Sequence, residues 1–369
     1  MVAVTISNLT VVSRLLWPGV GRIAIEEARQ LPASLVVYRE SQKKSHYPVD
    51  DINLTFIRNK DERHLLTPLF RQITAMYNRP RGPDATVDLD IIVQAVRKLN
   101  GHVLYHDQFA GLTGFLRRLL YDEDYALYMH ETSLGREGKS VKRALNDALD
   151  RAIIRNAKVV FTNSYTNQRV LLKENHSTIV AYPGCYPRSS ISLDRKPTII
   201  AVSMWDKGRH PEIYVSLAKL IKCRMILIGS WADDEYMMSM KRQYSDIVTI
   251  TGPVTEDVLS EFYQTSALYV RFGYGERGPG QGGIEALSNG IPVITNRGLG
   301  ISELISDGEN GFVISDIHEA ADRINFLIRS EAIRKKMMQE AWKTGKQLTW
   351  SSHVNIIRKT LADNELFAK

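Results

Sequence analysis

The stretch from Phe272 to Phe312 concentrates the residues best suited to hold a ligand. Its glycine-dense loop, Gly273-Tyr-Gly-Glu-Arg-Gly-Pro-Gly-Gln-Gly-Gly283, runs straight into Ile284-Glu285-Ala286-Leu287 and then the apolar strand Ile291-Pro-Val-Ile-Thr295. A strand, Ala267-Leu-Tyr-Val-Arg271, delivers the chain to the loop. Glycines let a ligand approach the backbone closely, and a helix starting there aims free N–H groups and its positive dipole end at the loop. That chemistry suits a phosphate. Glu285, in the first turn, suits sugar hydroxyls, because a carboxylate accepts their hydrogen bonds and is tolerated by the helix dipole. A nucleotide sugar carries both groups.

Holding such a loop requires a sheet. The second half alternates β-branched runs with helical patterns: Thr198 to Ser203, Arg224 to Gly229, Ile247 to Thr251, Ala267 to Arg271, Ile291 to Thr295 and Gly311 to Ile314. Apolar strands separated by helices predict a parallel sheet covered on both faces, with ligands beyond the carboxyl ends of the strands. The first half repeats this grammar, with strands expected at Val2 to Ser7, Leu35 to Tyr38, His102 to His106, Tyr125 to His130, Lys158 to Asn163 and Thr178 to Tyr182. Between Tyr125 and Lys158 the spacing of Val141, Leu145, Ala148 and Ala152 predicts a helix burying that stripe. Prolines, serines and charges from Pro187 to Pro197 predict a linker between two domains. Beyond Ser330 the chain reads as helical, with Trp342 and Trp350-Ser-Ser-His353 able to anchor a terminal helix on the first domain.

A chain of 369 residues, 44% of them hydrophobic, fits about two domains. Neither a long apolar span nor a leader pattern is read, so a cytoplasmic protein is expected. Cys185 and Cys223 are too few for a disulfide or metal framework, and the acceptor patterns at Asn8, Asn53 and Asn175 are discounted with them. A net charge of +7 favours an anionic partner, but no basic–aromatic interleaving or zinc-finger spacing points to nucleic acid. Asp88-Leu-Asp90 precedes an apolar helical run and reads as helix N-terminal acids rather than a metal pair. Gly135 to Ser140 lacks the glycine at 133 that a phosphate loop needs and reads as a helix entrance. Gly111 to Tyr121, with Arg117 and Arg118 among its leucines, suits either core packing or an anionic membrane surface.

In order, Gly283-Ile-Glu-Ala-Leu-Ser-Asn-Gly-Ile-Pro-Val-Ile294, Gly298-Leu-Gly-Ile-Ser-Glu303 and Asp307-Gly-Glu-Asn-Gly-Phe312 resemble the signature of the family 4 retaining glycosyltransferases, also described as glycosyl transferases group 1. Pro18-Gly-Val-Gly21 looks like that family's N-terminal glycine loop and Tyr128-Met-His-Glu131 like the strand end bearing its active-site histidine; Asn163-Ser164 and Pro183-Gly184 also fit. The resemblance implies the α/β GT-B fold, two Rossmann-like domains with parallel sheets facing across a cleft. Residues 1–188 would bind acceptor, 196–345 would bind the nucleotide sugar, and 346–369 would return as a helix to the first domain. It further implies that Glu285 holds the donor ribose, that Gly19, Gly21, Gly280, Gln281, Gly282 and Gly283 face the donor, and that His130 sits near the reacting sugar.

Two departures bear on mechanism. The family places its first glutamate eight positions before Glu285, where this chain has Arg277, so Glu276 takes the role only if the loop slips by one residue. Met204 stands where the family has a phosphate-binding arginine, leaving Lys207 and Arg209 to neutralise the departing diphosphate. The expected activity is metal-independent, retaining hexosyl transfer, without cofactor, from GDP-mannose, UDP-glucose or UDP-N-acetylglucosamine to a lipid-linked or polysaccharide acceptor. An anionic membrane surface is a further expected partner and nucleic acid is not. The alternative is a nucleotide-sugar-binding protein that has lost turnover, motivated by Met204 and Arg277. A pyridoxal-dependent phosphorylase recedes, because Gly273 to Gly298 contains no lysine.

Overall fold

A computed structural model describes residues 9–14, 19–38, 47–57, 89–136, 140–273 and 275–364. The chain divides into two compact units, Met1–Tyr182 with Trp350–Lys369, and Pro183–Thr349. The first division precedes the stretch Pro187 to Pro197 read as a linker, which lies within the second unit, and the second falls four residues beyond the break read at 345/346. The strand expected at Val2 to Ser7 lies outside the described residues, as do Pro18, Asp88 and 137–139.

The first unit runs β1 (Leu9–Ser13), α1 (Val20–Gln30), β2 (Ser34–Tyr38), β3 (Leu54–Ile57), α2 (Leu89–Lys98), β4 (His102–His106), α3 (Asp107–Tyr121), β5 (Ala126–Met129), α4 (Val141–Asn156), β6 (Val159–Thr162), α5 (Tyr165–Leu171) and β7 (Thr178–Val180). Its strands form a parallel sheet in the order β3-β2-β1-β4-β5-β6-β7. Strand alternation sorts neighbours to opposite faces. Val11, Leu104 and Tyr128 share one core with Ala24, Ile25 and Ala28 of α1, while Val12, Tyr105 and Leu127 share the other with Ile91 of α2 and Ile153 of α4.

The second unit runs β8 (Lys196–Val202), α6 (Pro211–Leu220), β9 (Arg224–Ile228), α7 (Asp234–Tyr244), β10 (Thr249–Gly252), α8 (Glu256–Thr265), β11 (Ser266–Arg271), α9 (Gln281–Ser288), β12 (Val293–Asn296), β13 (Gly311–Ile314), α10 (Ile317–Arg329) and α11 (Glu331–Gln347). Its parallel sheet has the order β10-β9-β8-β11-β12-β13. Order reverses beside β8, the switch point at which such sheets open a crevice at their strand ends. The last helix, α12 (Trp350–Asp363), belongs to the first unit, where Val354, Ile357 and Leu361 join the core under α1.

One expectation is overturned. The stripe read as buried on α4 faces solvent, with Val141 80% and Leu145 62% exposed. The helix instead buries Asp150, Ile153 and Ile154. Two isoleucines outweigh alanines in apolar area, and Asp150 Oδ2 accepts on that face from Thr132 Oγ1 at 2.6 Å and Ser133 N at 3.2 Å. On α3, Phe109, Ala110, Thr113 and Arg117 pack inward, and Arg117 is tied to Glu123 and the Val96 carbonyl, leaving Leu119 to Tyr121 exposed. Ser140 caps α4, accepting from Arg143 N at 3.1 Å, and Asp90 lies buried in the first turn of α2. No helix among the described residues is long and apolar enough to cross a membrane.

Candidate functional site

In the second unit the site residues gather where β8 and β11 end. Helix α9 starts on Gly280, whose φ of 68° is left-handed and around whose absent Cβ nothing lies within 4 Å. No side chain caps the helix, which leaves the N–H groups of its first turn available to an anion. Gly283 serves differently: a Cβ there would meet Ile301 Cδ1 at 2.6 Å, so its role is close packing. Gln281 is turned to the scaffold, donating from Nε2 to the Gly184 carbonyl at 2.8 Å. Tyr263 donates to the Gly282 carbonyl at 3.2 Å, and half-buried Glu285 lies in the second turn, not the first as expected, because the helix begins only at Gln281; it is close enough to Tyr269 to add its charge to the burial that raises that phenol.

The loop leading to α9 is held at both ends. The Tyr214 hydroxyl donates to the Phe272 carbonyl at 3.1 Å and accepts from Phe272 N at 2.9 Å, while Asn296 accepts from Gly273 N and donates to its carbonyl. Further on, Gly300 N donates to the Glu276 carbonyl at 2.9 Å. Fixed entry and exit spare a ligand the entropy of ordering the loop.

Opposite lies the turn after β8. Fully buried Trp205 pins it, donating from Nε1 to the Ile228 carbonyl at 3.0 Å and packing edge-on against Tyr214. A single 3₁₀ turn, Lys207–Arg209, follows, with Asp206 accepting from Arg209 N at 2.8 Å. Lys207 is exposed, its Nζ 5.8 Å from the Tyr236 ring centre. Arg209 reaches inward to Glu276, and the other oxygen of Glu276 accepts from Arg271. Arg271 Nη1 also donates to Ser203 Oγ at 3.2 Å. Burial and the adjoining Arg271 charge lower the Arg209 guanidinium below its usual value. Two guanidiniums thus share one carboxylate beside the open start of α9, while Met204 points to solvent, 47% exposed.

The motif spacing gave no warning of Arg271. The available signal was a charge closing an otherwise apolar strand, whose residues are all buried. Glu276 is the loop residue that turns to these cations, with both carboxylate oxygens engaged.

The first unit holds the remaining candidates. Gly19 precedes α1 with φ 90° and Gly21 is buried in its first turn. His130 follows β5 and is 5% exposed. Its N–H donates to Asp107 Oδ1 at 3.0 Å, and Asn163 and Asn167 both donate to its carbonyl. His130 Nε2 lies 2.9 Å from His106 Nδ1. Burial first, then the neighbouring imidazoles, holds His130 well below the usual histidine range. Among the described residues no group of three or more His, Cys, Asp or Glu side chains is disposed to hold a metal ion.

Residues 198–330 match the family profile of Glycosyl transferases group 1. The chain is 26% identical over 166 residues to spore coat protein SA of Bacillus subtilis, covering 41% of this chain and 44% of that protein. It is 25% identical over 178 residues to sulfoquinovosyl transferase SQD2 of Arabidopsis thaliana, covering 46% and 34%. The match thus spans less than half the length of these curated relatives. Among solved structures, Anabaena HepE in complex with UDP and glucose superposes with a TM-score of 0.77 at 16% identity, over 96% of this chain and 99% of that one. Sucrose-phosphate synthase from Thermosynechococcus elongatus does so with 0.70 at 16% identity, over 98% and 99%. At such identity the likeness is one of fold. With two parallel sheets each flanked by helices, the chain has the GT-B glycosyltransferase fold, and its residues 198–330 match the glycosyl transferases group 1 profile.

Proposed function

We propose that the protein is a retaining glycosyltransferase that moves a hexose from a nucleotide sugar to a lipid-linked or polysaccharide acceptor. The observation that carries the reading is the pair Arg209 and Arg271, which share the single carboxylate of Glu276 beside the uncapped start of α9. Cleaving a sugar–phosphate bond builds negative charge on the departing diphosphate, and preorganised cations and N–H donors stabilise it at no reorganisation cost. In this reading Arg209, Arg271 and Lys207 are the cations, the amides from Gly280 to Gly283 are the donors, and no metal is needed. Glu285 takes the ribose hydroxyls. Glu276, released as the diphosphate engages its two arginines, takes a hydroxyl of the transferred sugar. From the first unit, Gly19 and Gly21 let the donor approach α1 and His130 bonds a hydroxyl of the reacting sugar.

HepE binds UDP and glucose, which makes UDP-glucose the first donor to test, ahead of GDP-mannose and UDP-N-acetylglucosamine. The net charge of +7 favours action at the inner, anionic face of a membrane, where a lipid-linked acceptor resides. Incubating purified protein with a nucleotide-sugar panel, and following donor hydrolysis or transfer, tests the assignment. Turnover of at least one donor is expected. Tight binding without turnover across the panel replaces it with the alternative, a binding protein of the same fold, and absence of binding refutes both.

A further inference from the structure

Helix α1 carries a carboxylate into the middle of the first unit. Glu27 is fully buried; its Oε2 lies 2.7 Å from His106 Nε2 and its Oε1 2.8 Å from His353 Nε2. The chain of contacts continues both ways. His353 Nδ1 is 2.8 Å from the Tyr182 carbonyl, and His106 Nδ1 is 2.9 Å from His130 Nε2. Burial by itself raises a carboxyl, yet the two imidazole partners, His106 and His353, bring Glu27 down to about 2, so it is ionised. Tyr128 stacks on His106 at 5.3 Å, its hydroxyl donating to the Ala181 carbonyl, and Asp107 accepts the His130 backbone N–H.

Donor and acceptor bookkeeping together with charge balance fixes the protons. A carbonyl only accepts, so His353 Nδ1 carries hydrogen; an ionised carboxylate only accepts, so His353 Nε2 and His106 Nε2 carry hydrogen as well. His353 is then an imidazolium that cancels the charge of Glu27. Glu27 is the carboxylate that His106 and His353 share, and it balances one imidazolium, so the His106 ring stays neutral; its Nδ1 then presents a lone pair, and His130 Nε2 must donate to it. The bare nitrogen of His130 is therefore Nδ1, to which no described residue hydrogen-bonds.

We infer that Glu27, His106 and His353 form a positioning chain that holds His130 as its Nε2–H tautomer, offering Nδ1 to a ligand as a neutral acceptor for a hydroxyl group. The assignment of a sugar hydroxyl to this nitrogen rests on the function proposed above; the tautomer does not. A neutral acceptor cannot protonate the sugar, so His130 orients a hydroxyl rather than acting as an acid.

The experiment is a long-range nitrogen–proton correlation spectrum of protein labelled on its nine histidines, with His130→Gln supplying the assignment. Wild type is expected to show His130 protonated on Nε2 and bare on Nδ1; the Nδ1–H tautomer overturns the inference. Two substitutions at 27 separate positioning from bulk structure. Glu27→Gln keeps an oxygen for His106 and donates its amide to a neutral His353, so tautomer and turnover are retained. Glu27→Leu removes the acceptor, mixes the His130 tautomers and lowers kcat/KM about tenfold, the worth of about one hydrogen bond. Mixed tautomers in Glu27→Gln, or a single one in a folded Glu27→Leu, refute the chain. A correct tautomer in a protein that turns over no donor leaves the chain standing and sinks the transferase reading instead.

Discussion

Replacing Arg271 by methionine removes the cation at the end of β11 while filling its volume with an unbranched apolar side chain. The guanidinium is 8% exposed and bonded to Ser203 and Glu276, so its charge is oriented and largely desolvated before a ligand arrives. Loss of one preorganised donor at a developing charge costs about 3 kcal/mol of barrier, roughly a hundredfold in kcat. Folding loses less, because Glu276 keeps its bond to Arg209. The assay is steady-state release of nucleoside diphosphate, with a calorimetric Kd for that diphosphate and a melting temperature for each variant. Met204 follows Ser203, whose Oγ touches Arg271, so Met204→Arg in the Arg271→Met background returns a guanidinium to the same strand end. That double variant is expected to regain about tenfold in kcat. Arg271→Lys keeps the charge without the planar fork and falls between. A single variant as fast as wild type, or a stable double variant no faster than the single, refutes the assignment of Arg271 to the diphosphate.

Glu276→Gln leaves Arg209 and Arg271 without their counter-ion, and nucleoside diphosphate should bind about fivefold tighter by calorimetry while transfer slows; the figure is kept near 1 kcal/mol because Arg209 and Glu276 are 32% and 31% exposed. Glu27 titrates at about 2 instead of its ordinary 4.5, so its stabilisation is complete above 4.5 and is lost as pH falls toward 2, about 3 kcal/mol in all. Asp107, raised by burial to about 6 from 3.8, runs the other way, with stability falling as pH rises between those values. Urea denaturation of wild type and Glu27→Gln across pH 2 to 6 cancels Asp107, and the difference between the two is expected to shrink on acidification. A constant difference refutes the ionised, paired Glu27.

The second sheet was legible because its strands are short apolar runs punctuated by glycine loops, and the start of α9 was legible because Gly280 leaves open space where a side chain would stand. Arg271 was hidden for a topological reason. A missing cation at 204 was sought along the chain, at Lys207 and Arg209, whereas β11 pairs with β8 in the register Leu268 to Ile199 and Tyr269 to Ile200, which sets residue 271 beside Ser203. No local spacing encodes that neighbour. Glu27 left a faint trace, lying four residues beyond buried Ile23 on the inward stripe of α1. Its partners come from β4 and from α12, more than 300 residues away in the case of His353, so only the fold brings them together. The stripe on α4 misled because alanines satisfy a periodicity without supplying much area, and a buried aspartate with ready partners can take the inward face.

The two charge clusters differ in the property that decides their use. Each joins one carboxylate to two nitrogen bases, and in each the partners are fixed by strand ends or helix faces. Around Glu276 the side chains of Arg209 and Glu276 are about one-third exposed, so an incoming anion can exchange for the carboxylate without passing through an unpaired buried charge. Around Glu27 every member is 0% exposed, and separating any pair would strand a charge or a polar nitrogen in the core. The first arrangement suits a ligand that comes and goes, the second a histidine that must keep one tautomer through every turnover. Charge chemistry alone would not separate them; solvent access does.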